Sequence, residues 1–374
     1  MPRSPRLSVA ESTALALVEP GLASVAAKVG LIGRATPIDA HVERARLLAD
    51  YTAGRERLPR WRYDERTRDV GSLERELAGI EGPLRSLEGT PLGLLYRGRA
   101  EELRLELRAA AAAGTAGTEF GEAARARYPP TRETPEAAAL ARRWCEAPAE
   151  PHEPGVLASD DRDPRSLVSR LRAEVSRRKL PFAVRTSPSM SALAAISGDT
   201  LWVAEGRLLT ARDIERTVVH EVQAHALPRM QAKTHALGIF AIGTAGGSDD
   251  QEGYALWLED RRGVSGEARR RELGARHDAV RRMREGADFV TVVRTVRALG
   301  LTLEAALRIA ERVFRGSNGE TPGLGREGVY LESYVRVEAW LASAPGDELV
   351  LAAGQVSVKS VDPLRKWTSS SREA

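Results

Sequence analysis

The chain has 374 residues, 42% of them apolar and only 5% aromatic. That is long enough for two packed units, with cores built mainly from Ala, Leu and Val. Its 56 basic residues face 52 acidic ones for a net charge of +4. The two signs interleave, as in Asp160-Asp161-Arg162-Asp163, which reads as a solvated surface and excludes a nucleic-acid footprint.

A single cysteine, Cys145, excludes an internal disulfide and a thiolate metal cluster, and fits a reducing compartment. Glu11 and Glu19 interrupt the apolar stretch near the N-terminus, against a signal peptide. No run approaches the ~18 uninterrupted apolar residues of a membrane span. A cytoplasmic chain without a membrane partner is expected.

In chain order, residues 1–35 are Ala/Ser/Val-rich with Pro2, Pro5 and Pro20, and read as a partly ordered segment. Residues 36–147 form a helical subdomain: 41–53, 72–80 and 94–112 carry apolar residues three and four apart with charges between them. The Pro-rich stretch 148–165 reads as a linker, and 166–374 as a second unit. That unit opens with a helix at 166–179 and a strand at 181–186. Two strands flanking Ser197-Gly-Asp then read as a hairpin. Helix resumes near Ala211, with others at 251–262, 268–285, 289–298, 303–314 and, after a Gly-rich loop, 331–342.

The informative segment is His220-Glu221-x-x-x-His225. Thr210-Ala-Arg-Asp213 supplies a capping box ahead of it, and Ile214, Val218 and Val222 mark a buried face. Zinc peptidases carry H-E-x-x-H, whose histidines lie ~40° apart around a helix. Five residues of regular α-helix leave His220 and His225 ~140° apart, so they share a metal only if the helix contains a π-bulge. Pro228 is expected to end the helix soon afterwards.

A third ligand follows in Ser248-Asp-Asp-Gln-Glu252. Ser248 and Gln251 match a capping box, which would place Glu252 in the first turn of a returning helix. Two histidines and a glutamate make the His₂Glu set of catalytic zinc sites. Asp249, Asp250 and Glu259 compete for the carboxylate role. Glu259 shares the face of Glu252 and is also placed to orient a histidine. A lone Glu252 serving only the helix dipole is the bland alternative. These features point to an α+β, mainly helical chain: a helical N-terminal subdomain and a zincin-like, gluzincin-type core with a small antiparallel sheet.

Gln251-Glu252-Gly253-Tyr254-Ala255 resembles the signature of the QEGLA-motif proteins, with Tyr in place of Leu, and His220-Glu-Val-Gln-Ala-His225 resembles their H-E-x-x-x-H. That family includes the microtubule-associated tyrosine carboxypeptidases, zinc enzymes that remove the C-terminal tyrosine of α-tubulin. Tyr96, Gly114–Phe120, Arg312–Gly316 and Val329-Tyr330-Leu331 also resemble family segments. Where members often carry Thr-Lys-Asp ahead of Val-Tyr-Leu, this chain has Gly325-Arg326-Glu327. The resemblance implies one zinc ion on His220, His225 and Glu252, with Glu221 catalytic.

Zinc lowers the pKa of water to ~7, and Glu221 then relays its proton to the leaving amine. Tyr330, Arg326 and Arg315 are candidates for the oxyanion donor or for holding the carboxylate of a peptide or protein C-terminus. Two alternatives stay open: a mononuclear iron enzyme using the same ligand set, and a catalytically silent peptide-binding protein.

Overall fold

The computed structural model describes residues 6–115, 117–130, 133–148 and 155–368. Residues 1–5 of the expected partly ordered segment and 149–154 of the expected linker lie outside them. Among the described residues the architecture is mainly helical with five short strands.

The N-terminal expectation needs correction. Val9–Val29 is one helix, opened by a capping box from Ser8 and Glu11 and closed by Gly30 in the left-handed region. A stretch within Val9–Thr52 is long and apolar enough by composition to cross a membrane. Here, however, Leu15, Val18, Leu22 and Val25 are buried in the core. Glu19 is no mere interruption of this helix, since its Oε1 accepts the backbone N–H of Gly238 (2.7 Å) and the hydroxyl of Tyr96.

The helices read from periodicity appear at Ala40–Thr52, Gly71–Gly79, Pro91–Ala112, Leu167–Arg177, Glu267–Arg284, Phe289–Ala298, Leu303–Val313 and Val329–Ser343. Several starts follow local chemistry: Thr90, Ser166, Asp288 and Thr302 each accept a first-turn N–H, as does Thr134 ahead of a further helix, Pro135–Glu146.

The stretch 148–165 does not separate two cores. The largest apolar cluster takes Leu22, Tyr96 and Leu103 from before it and Val219, Phe240, Tyr254 and Val361 from after it. Its described end is anchored: β1 (Leu157–Ala158) pairs with β5 (Leu208–Leu209), and Ser159 is fully buried.

The sheet also departs from the expected antiparallel one. β2 (Ala183–Ser187), β3 (Ala194–Ser197) and β4 (Thr200–Ala204) lie in the order β2-β4-β3. The β3–β4 hairpin forms as read, with Ala194 opposite Val203. The chain skips one place after β2, so β4 returns between its predecessors and runs parallel to β2, with Ala183 opposite Thr200. The sheet is therefore mixed, with β2 and β3 at its edges and β3 packed beside the segment that carries His220 and His225.

Candidate metal centre and its surroundings

The capping box of Thr210 and Asp213 forms as its spacing predicts. The helix Ala211–Val218 then widens into a π-helix over Val219–Ala226, longer than a single-residue bulge, before reverting to α over Leu227–Ala232. The Leu227 N–H reaches the Val222 carbonyl five residues back. Pro228 does not end the helix. It sits where the wide turn hands back to α, displaced from the carbonyl four residues earlier that its ring would strike. Widening brings the imidazoles of His220 and His225 to one face, with ring centroids 4.9 Å apart.

The helix Gly247–Arg261 brings the carboxylate. It begins earlier than the capping box at Ser248 predicts: Gly246, at φ +73°, is the N-cap and no side chain caps it. Glu252 is therefore in the second turn, and Gln251 is released from capping. Gly253 explains why this helix can lie so close to Val329–Ser343: a Cβ there would stand 2.3 Å from the Ser333 carbonyl carbon.

Ligand-type atoms of His220, His225 and Glu252 lie within 4.8 Å of one another. Glu252 Oε2 is 3.5 Å from His220 Nε2 and 3.9 Å from His225 Nε2. Tetrahedral donors ~2.0–2.1 Å from one ion stand ~3.4 Å apart, so this spacing suits a zinc-sized cation. Chemically, Oε2 is buried and makes no hydrogen bond, a costly state for a carboxylate unless a cation completes it.

Each donor is held from behind. His220 Nδ1 donates to Glu259 Oε1 (2.7 Å), the orienting role open to Glu259 from its helix face. His225 Nδ1 donates to Gln251 Oε1 at 3.1 Å. Arg326 Nη2 donates to Glu252 Oε1 at 3.0 Å. The remaining acids are committed elsewhere: Asp249 to Arg127, and Asp250 to Arg336 and the Val358 N–H.

The electrostatics follow this layout. Burial opposes protonation of His220, but Glu252 and Glu259 outweigh it and push its pKa up to about 10. The negative field that holds a proton there equally suits a cation. Burial likewise opposes ionisation of Glu252, yet His220, Arg326 and His225 hold its pKa well below the ordinary value. Burial raises that of Glu221, partly offset by His220 and His225. The Glu221 carboxylate is buried and has no hydrogen bond or ion pair among the described residues.

The three further sequence candidates separate. Arg326 is occupied by Glu252 and reaches the Tyr330 hydroxyl at 3.5 Å, which also accepts from Arg312 Nη2 at 3.3 Å. Arg315 has no hydrogen bond or ion pair to His220, Glu221, His225 or Glu252 among the described residues. It is buried, donates to Ser191 Oγ (2.8 Å) just before β3, and has no carboxylate within ion-pair distance among the described residues. Burial, and then Arg312, lower its pKa to about 10. Sequence reading missed Arg276 and Arg312, whose guanidiniums face the Tyr330 ring, and the role of Gln251. Only its position beside Glu252 hinted at that role.

A family model described as microtubule-associated tyrosine carboxypeptidase matches residues 51–371. No curated protein matches the chain.

Proposed function

Because the chain belongs to the family of microtubule-associated tyrosine carboxypeptidases, it is carboxypeptidase-like, and we propose that it is a zinc-dependent peptidase acting on a peptide or protein C-terminus. The observation that carries this reading is the bare, buried Oε2 of Glu252, facing two imidazole nitrogens that are both held from behind. In this reading the π-helix and the mixed sheet form a gluzincin-type core, and the protein works in the cytoplasm.

His220, His225 and Glu252 would hold a zinc ion, which would supply the Lewis acidity that brings the pKa of water to ~7. The rest falls to the chain. Glu221 takes the proton of the attacking water on its carboxylate and returns it to the nitrogen of the leaving amine. Burial suits it to both halves by raising its proton affinity. With Arg312 and Arg326 donating to its oxygen, the Tyr330 hydroxyl is left to donate its proton to the developing oxyanion. Arg315, a buried guanidinium without a carboxylate partner among the described residues, receives the substrate C-terminus through its planar fork. Arg326, first read as a substrate residue, serves through Glu252 instead. The exposed edge of β3 offers main-chain hydrogen bonds to an extended peptide.

The test is metal analysis together with a digest of a peptide library. Wild type and Glu221→Gln should each hold ~1 zinc per chain, with turnover reduced at least ~10²-fold in the variant. His225→Ala should lose both metal and turnover. Iron in place of zinc would favour an oxygenase, and a Glu221→Gln protein without metal would overturn this division of roles.

A further inference from the structure

The two imidazoles are not held alike. His220 donates to a fully buried carboxylate, Glu259, at 2.7 Å, whereas His225 donates to an uncharged amide oxygen, Gln251 Oε1, at 3.1 Å. That oxygen has a second donor, Gln355 Nε2, at 3.5 Å. An amide can be flipped, offering NH₂ where oxygen is needed. A donor on its far side fixes which end faces the histidine.

Gln355 is itself immobilised by its backbone. Its N–H donates to the Phe240 carbonyl (3.2 Å) and its carbonyl accepts the Thr244 N–H (2.9 Å). The fit is close: a Cβ on Gly247, the first residue of the helix carrying Gln251 and Glu252, would stand 2.1 Å from the Gln355 carbonyl oxygen, and one on Gly354 would stand 2.3 Å from the Phe240 carbonyl oxygen. The chain beside Gln355 thus lies against the start of the helix that supplies the metal carboxylate, 130 residues downstream of His225 in sequence.

Resting on the zinc reading above, we propose that Gln251, oriented by Gln355, is a positioning residue that fixes the tautomer and rotation of His225 with Nε2 toward the metal, so that the segment near Gln355 is part of the metal site. Glu259 does for His220 with a charge what this glutamine pair does for His225 with none. The consequence is that the acceptor on His225 can be exchanged without removing a buried ion pair.

The test measures zinc affinity of the full chain by chelator competition, with the visible spectrum of the cobalt-substituted protein and the melting of the metal-free protein alongside. Gln251→Leu should bind zinc about 10–100-fold more weakly, the range for loss of such partners, with a shifted cobalt spectrum and unchanged metal-free melting. Gln251→Glu keeps an acceptor on His225 and should bind at least as tightly as wild type. Gln355→Leu should weaken binding several-fold. Wild-type affinity in Gln251→Leu, or a loss in Gln251→Glu as large as in Gln251→Leu, overturns the assignment. A wild-type protein that takes up no zinc would instead sink the metal reading beneath it.

Discussion

At the scale of single residues, charge placement decides roles that residue type leaves open. Tyr330 and three arginines crowd together, with the guanidiniums of Arg276, Arg312 and Arg326 between 5.6 and 6.0 Å from the ring. Two of them donate to the phenolic oxygen, which directs its proton away from them. Tyr330→Phe removes that proton and little else. It should lower kcat by ~10²–10³, the usual cost of an oxyanion donor, while zinc content and KM stay near wild type. A wild-type kcat would remove Tyr330 from the chemistry. Sequence pattern had placed His220, Glu221, His225 and Glu252 because their spacing carries a geometric demand. Arg326 and Arg315 were indistinguishable there, since an arginine's partner is a matter of contacts far along the chain.

Among the elements, the π segment and the helix pair behind it set the site. The five-residue histidine spacing requires a widened turn, and Val219–Ala226 provides it. The start of the following helix was misread because Ser248 and Gln251 suit a capping box, while the turn ending at Gly246 opens the helix two residues sooner. Close packing of that helix on Val329–Ser343 depends on the missing side chain of Gly253. Gly253→Ala should destabilise the protein by about 1–3 kcal/mol, as overpacking does, seen as a lower thermal midpoint. An unchanged midpoint would mean that the helices can separate without loss. Both strands of the hairpin were legible from the Ser197-Gly-Asp turn that they flank. The parallel β2–β4 pair was not, because pairing partners in a sheet are chosen by which neighbour covers which face.

Across the whole molecule, a buried ion network ties the N-terminal helices to the helix that carries Glu252. Arg127, almost wholly buried, meets Glu102 at 3.0 Å, Glu106 at 3.2 Å and Asp249 at 3.1 Å. Glu102 Oε1 also accepts the Gly246 N–H (2.9 Å) at the start of the helix bearing Glu252. Arg127→Met removes the cation these carboxylates share, leaving Glu102 and Glu106 to Arg99, and should cost about 3–5 kcal/mol, read from denaturant midpoints. Zinc affinity should fall with it, because the mounting of Glu252 loosens. Retained stability would show that the acids are neutral in the fold and that the network does not bind the layers.

Read alone, the sequence determined most helices, the hairpin, the five-residue spacing that demands a π turn, and the candidates His220, Glu221, His225 and Glu252. These are local properties, written in periodicity, capping chemistry and the angle per residue. The tertiary structure alone decided that one apolar core spans both sides of the Pro-rich stretch, that the sheet is mixed, and that Arg326 and Gln251 stand behind Glu252 and His225. Each of those depends on which distant surfaces exclude water together. Burial makes a single buried charge or bare oxygen expensive enough to dictate its neighbour, and no window of sequence contains both partners.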